Sequence, residues 1–163
     1  MMFDEGLLMM ARLTLDECRA RRLKIATAES CTGGLVAALL TEIPGSSDVV
    51  DRGFVTYSNR AKMEMLGVPG DLIADMGAVS EPVARMMAEG ALRESRANIA
   101  VSITGVAGPG GGTALKPLGL VHIAVARENK AILHEAHRFG EIGRTEIRLA
   151  TVAAALEMVR KMI

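Results

Sequence analysis

The chain has 163 residues, half of them hydrophobic, with 19 Lys+Arg against 19 Asp+Glu. That size fits one domain with a core of its own. Zero net charge and only four aromatics (Phe3, Phe54, Tyr57 and Phe139) argue against a nucleic-acid binder and against a base-stacking platform.

No apolar run reaches the roughly 18 residues of a membrane span. Asp4 and Glu5 precede the first short apolar stretch, unlike a signal peptide. Cys18 and Cys31 have no metal or redox spacing and suit a reducing compartment, so a cytoplasmic location is expected. Residues 1–115 hold 11 basic and 14 acidic side chains, and residues 116–163 hold 8 and 5. With 11 Met and no Trp, the core is expected to be aliphatic.

In chain order, Leu8, Ala11, Leu15 and Cys18 give one apolar face of a first helix. Lys24–Ala28 reads as a short strand. Gly33–Ile43 reads as a helix stopped by Pro44-Gly45. Gly53–Ser58 has the β-branched and aromatic bias of a strand. Asn59 is the expected cap of a helix running to about Leu66. Ser80, with Pro82 behind it, opens a helix to about Ser95. Asn98–Thr104 and Gly119–Ala126 are continuous apolar runs, the mark of buried central strands. Ala131–Phe139 is a more polar strand, suited to an edge. Ile142, Leu149, Val152, Leu156, Val159 and Ile163 trace one face of a last helix. This alternation predicts one α/β domain over residues 1–163, a three-layer α/β/α fold with an open, mostly parallel or mixed sheet.

Three stretches carry candidate chemistry. In Thr27-Ala-Glu-Ser-Cys-Thr-Gly-Gly34 a strand runs into a helix through small hydroxyl residues and two glycines. Ser30 is the candidate nucleophile. The amides near Thr32, Gly33 and Gly34 are candidates for holding an anion at the helix start. The plainer alternative is an N-cap hydroxyl with packing glycines. Cys31 is a rival nucleophile without a patterned His partner.

In the second stretch, Lys62 falls in the first turn of a helix with Arg60 nearby. The helix dipole, the neighbouring charge and any burial would lower its pKa, making it a candidate general base with Tyr57 as a proton relay. The alternative is a solvated lysine and a packed tyrosine. The third stretch, Ser102 to Thr113, leaves a strand through a glycine-rich loop. It lacks the P-loop ending and a convincing dinucleotide fingerprint. Thr104, Gly105 and Gly108 are its candidate ligand contacts, against a plain surface turn. Arg144, opening the last helix, is a candidate phosphate clamp and Arg148 its competitor. The three histidines read as packing or surface residues, and His134 and His137 fall on opposite strand faces, a poor metal pair.

Five motifs occur in order: Thr27–Gly34, Gly53-Phe-Val-Thr-Tyr-Ser-Asn59 with Lys62, Gly77-Ala-Val-Ser-Glu-Pro82, Thr104-Gly-Val-Ala-Gly-Pro109 and Lys116-Pro-Leu-Gly119. Together they resemble the C-terminal domain of the competence/damage-inducible protein CinA, the nicotinamide-nucleotide amidohydrolase family, over nearly the whole chain. The resemblance implies hydrolysis of the carboxamide of nicotinamide mononucleotide, with no metal and no cofactor. By position, it implies Ser30 as nucleophile, Tyr57 and Lys62 as acid/base partners, and Thr104 and Arg144 at the substrate. Nothing corresponds to the N-terminal domain of full-length relatives, so a stand-alone form is expected. A penicillin-recognising enzyme is set aside because Gly33 stands where S-x-x-K needs lysine. The expected partners are a small-molecule nucleotide and further copies of the chain, with no nucleic acid and no membrane. The alternative is a nucleotide-sensing or protein-interaction module without turnover.

Overall fold

The structure is a computed structural model that describes residues 2–163. A five-stranded sheet forms its middle layer: β1 (Ile25–Glu29), β2 (Val50–Val55), β3 (Ile99–Gly105), β4 (Leu120–Arg127) and β5 (Leu133–Arg138), in the order β2-β1-β3-β4-β5. β1 runs parallel to both β2 and β3, whereas β3–β4 and β4–β5 are antiparallel. The sheet is therefore mixed, and the α/β expectation holds.

Side-chain size divides the two faces. Successive strand residues point to opposite sides. Ile25, Ile99, Val101, Ile103, Val121, Ile123 and Val125 face one cluster, which also holds buried residues of α1 (Glu5–Ala20), α2 (Leu35–Glu42) and α6 (Arg144–Lys161). Ala26, Ala28 and Ala100 face the other, with α3 (Asn59–Leu66), α4 (Gly70–Met76) and α5 (Glu81–Arg93). Ala124 and Ala126 meet Ala84 and Ala88 of α5. Small residues let α5 lie close on the sheet, close enough for the Ser102 hydroxyl to donate to the Ala84 carbonyl at 2.6 Å.

α3 comes equally close to α5. A Cβ at Gly90 would lie 2.1 Å from the Leu66 carbonyl oxygen, so only glycine fits at that crossing.

Some expectations shift. β2 begins at Val50 and ends before Tyr57, because it is an edge strand whose pairing with β1 sets its limits. The N-cap of α3 is Ser58, whose hydroxyl accepts from the Ala61 amide at 3.0 Å, so Asn59 is already helical. α4 has no counterpart in the expected elements. α6 starts at Arg144, leaving Ile142 half exposed outside it. Among the described residues, no helix is long and apolar enough to cross a membrane.

Candidate active site

β1 and β3 are parallel neighbours, so the turns that leave them open on one sheet edge, where open α/β sheets place ligands. Ser30 follows β1 directly, and its amide still donates to the Ile103 carbonyl at 3.0 Å. That bond continues the β1–β3 pairing and fixes the serine at the edge.

Lys62 reaches Ser30 from α3. Its Nζ lies 2.9 Å from Ser30 Oγ, 2.7 Å from the Thr56 carbonyl and 3.3 Å from the Tyr57 carbonyl. It is only 1% exposed. Burial pulls its pKa from 10.5 down to about 8, with Cys31 acting weakly the other way. The lowering agrees with the sequence reading, but its cause differs. Arg60 points outward and pairs with Glu64 at 2.8 Å, so desolvation does the work. An ammonium here gives one N–H to each of the three oxygens. A neutral amine gives two to the carbonyls and turns its lone pair to the Ser30 hydroxyl. Two fixed carbonyls therefore orient the lone pair on the serine proton.

The start of α2 is not an open anion site. The buried Glu29 carboxylate fills it, accepting from the Val36 amide at 2.9 Å, the Ala37 amide at 3.1 Å and the Thr32 hydroxyl at 2.6 Å. A carboxylate suits a helix N-terminus for the same reason an external anion would. Thr32 is thus buried and engaged. Gly33 and Gly34 take positive φ (59° and 106°) to make the turn. None of the three, expected to contact an anion, lines the cavity in front of Ser30. Sequence reasoning passed over Glu29. Its signal is an acid closing a strand, three residues before Thr32 and seven before Val36 in the first turn of α2.

That cavity has a volume of about 320 Å³. Ser30, Lys62 and Thr104 form its floor, Tyr57 and Arg144 its rim, and residues 105–108 with Gly110 and Gly111 one wall. The Thr104 hydroxyl donates to the Ala78 carbonyl at 2.8 Å, which leaves its oxygen lone pairs as acceptors. Gly105 packs against β4, where a Cβ would lie 2.9 Å from the Leu120 carbonyl oxygen.

Arg144 Nη1 donates to the Gly108 carbonyl at 2.7 Å, and its Nη2 lies 3.3 Å from the Tyr57 hydroxyl. Arg148 instead donates to the Cys31 and Thr32 carbonyls at 3.0 and 3.2 Å. It braces the nucleophile turn and does not line the cavity. Of the two rival arginines, Arg144 is the one at the cavity. The Tyr57 phenol sits with Arg144, and it is the Tyr57 carbonyl that meets Lys62 and Ser30. Cys31 also lines the cavity. Burial pushes its thiol up to about 11, so it is protonated at neutral pH and a poor nucleophile.

Comparison with known proteins agrees with this fold. The family model of the CinA C-terminal domain matches residues 8–163. A putative competence-damage inducible protein of Caldicellulosiruptor bescii is 50% identical over 143 residues, covering 88% of this chain and 34% of its own length. A CinA-like protein of Syntrophus aciditrophicus is 49% identical over 144 residues, with 88% and 34% covered. The chain thus spans about a third of the length of these curated relatives.

Among solved structures, the competence/damage inducible protein CihA of Agrobacterium tumefaciens superposes with a TM-score of 0.96 at 56% identity, covering 98% of this chain and 96% of that one. A competence-damaged protein (CinA) superfamily protein of Escherichia coli gives 0.92 at 29% identity, covering 99% and 94%. With residues 8–163 matched by the family model and the fold superposing over 98% of its length on a relative of 56% identity, the chain belongs to the CinA C-terminal domain family.

Proposed function

We propose that this domain hydrolyses the carboxamide of nicotinamide mononucleotide to nicotinic acid mononucleotide and ammonia, with Ser30 as nucleophile and Lys62 as the group that moves protons. The observation that carries the reading is the buried Lys62 Nζ at 2.9 Å from Ser30 Oγ with its pKa drawn down to about 8. A buried lysine with no carboxylate partner costs folding free energy, and holding it against one serine gives it a use. The substrate follows from the family resemblance.

The steps follow from the atoms present. Neutral Lys62 takes the Ser30 proton as Oγ attacks the carboxamide carbon. The lysine, now an ammonium, returns that proton to the nitrogen, and ammonia leaves an ester on Ser30. Water then attacks the ester carbon while Lys62 again takes a proton, and the acid and free Ser30 are released. The developing oxyanion needs donors at the turn around Cys31 or in the loop of residues 105–111. Thr104 and Arg144 are assigned to the substrate, Arg144 to its phosphate. Tyr57 serves through its carbonyl, which orients Lys62, and through its phenol on Arg144.

The test is ammonia release from nicotinamide mononucleotide by wild type and Ser30→Ala. Loss of turnover in the variant is expected. Equal activity in both removes Ser30 as nucleophile. Tight nucleotide binding by wild type without product would instead identify a sensing module.

A further inference from the structure

A second and larger cavity, about 570 Å³, adjoins the first, and Val79 lines both. Basic groups from four separate parts of the chain converge on it: Arg85 of α5, Lys116 of the loop before β4, His122 of β4 and Arg138 of β5. Glu81 is the single acidic residue in its lining. That carboxylate is already engaged, with Arg85 Nε at 2.8 Å and His134 Nδ1 at 3.3 Å. Lys116 and Arg138 form no ion pair among the described residues.

Lys116 is held in place all the same. Its Nζ donates to the Met76 carbonyl, and a Cβ at Gly77 would collide with it. A half-buried ammonium fixed by one neutral carbonyl is short of a counter-charge. Lys116 belongs to the Lys-Pro-Leu-Gly motif, to which the proposed amide hydrolysis gives no part.

His122 completes the arrangement. Its Nδ1 lies 2.9 Å from His134 Nε2, with the two ring planes 21° apart. One proton serves that contact. With a proton also on His134 Nδ1 toward Glu81, His122 donates from Nδ1. Its Nε2 has no protein partner among the described residues. Burial, together with the charges of His134, Lys116 and Arg138, lowers the His122 pKa against the pull of Glu81. An anion in the cavity would counter the two cations and favour protonation of Nε2.

We propose that this second cavity binds a phosphate monoester, its anionic head on Lys116, Arg138 and His122 Nε2 and its organic part on Met76, Pro82 and Leu120. Free inorganic phosphate shares the head chemistry but not the apolar contacts. The proposal does not rest on the amidase reading.

The experiment follows the histidine imidazole signals of the full chain by NMR, during titration with inorganic phosphate and, separately, adenosine 5′-monophosphate. The expected result is movement of the His122 signals with a rise in its titration midpoint, and tighter binding of the monoester. Arg138→Gln and Lys116→Gln should each weaken binding about tenfold, and Arg144→Gln should leave it unchanged. Arg138 is exposed and unpaired, so its variant folds even if Lys116→Gln does not, and Arg138→Lys should restore part of the affinity. His122 signals that stay still up to about 10 mM ligand, undiminished binding in Arg138→Gln, or loss of binding in Arg144→Gln would each overturn the site. Equal affinity for both ligands would overturn the monoester assignment.

Discussion

Replacing Lys62 by methionine keeps an unbranched apolar side chain of similar length in place and removes the amine. For the wild type, the drop in pKa from 10.5 to about 8 withholds roughly 3 kcal/mol of folding stability at neutral pH. Its folded value lies below its unfolded value. Between about pH 8 and 10.5 the unfolded chain therefore binds more protons, and stability climbs with pH by about 1.4 kcal/mol per unit. The Lys62→Met variant has no amine to titrate and so no such climb. It leaves the Thr56 and Tyr57 carbonyls and the Ser30 hydroxyl without their partner, at about 1 kcal/mol each, which offsets the relief of the buried charge. Lys62→Met should therefore melt within about 4 °C of wild type at pH 7, and should lack the wild type's gain in stability between pH 8 and 10.5. Its amidase rate should fall by about 10²–10⁴. The wild-type rate should rise about tenfold per pH unit up to about 8 and then level, because roughly a tenth of the lysine is neutral at pH 7. Thermal melts and ammonia release across pH 6 to 10.5 read both effects. A flat rate profile, an active Lys62→Met, or an unchanged stability slope in that variant would refute the buried-base argument.

Two structural features lend themselves to simpler tests. Glu29→Gln keeps the shape but puts a donor in place of one acceptor oxygen, facing either the Ala37 amide or the Val36 amide and Thr32 hydroxyl. It should cost about 2 kcal/mol, or roughly 4–8 °C in melting temperature, and an unchanged melt would show that the carboxylate does not cap α2. Gly90→Ala should gain about 1 kcal/mol from helix propensity but lose more to the collision with Leu66. A net loss of at least about 1 kcal/mol in denaturant melts, with reduced turnover as α3 and Lys62 shift, is expected. A stabilised variant would mean that α3 and α5 do not cross so closely.

The sequence made some of this legible and hid the rest for definite reasons. β3 and β4 stand out because their runs are long, apolar and bounded by glycine. β5 reads as an edge because His134, Glu135 and His137 interrupt it, and it lies at the sheet edge. α4 leaves little trace because Ile73 is its one buried residue. Ser30, Lys62 and Tyr57 are marked by their motifs, and the structure gathers them at one cavity. What the motifs do not carry is the physical cause. The Thr32–Gly34 turn looks like an open anion cradle until Glu29 is seen filling it, and a strand-end acid does not announce that it folds back over seven residues.

The buried lysine depends still more on tertiary structure. α5 approaches the sheet because that face carries Ala26, Ala28, Ala100 and Ala124. α3 approaches α5 because residue 90 is glycine. Lys62, one turn before Leu66 at that crossing, is thereby drawn under the protein surface beside Ser30. The scarcity of aromatics argues against a base-stacking platform, and small residues occupy this face of the sheet instead. The structure gives them a constructive part, since a bulkier sheet face would hold α5 and α3 outward and leave Lys62 hydrated. Its pKa would then return toward 10.5, and the neutral fraction at pH 7 would fall from about a tenth to less than about one in a thousand. The reactivity of the serine–lysine pair is thus set by alanines and a glycine that lie outside its hydrogen bonds.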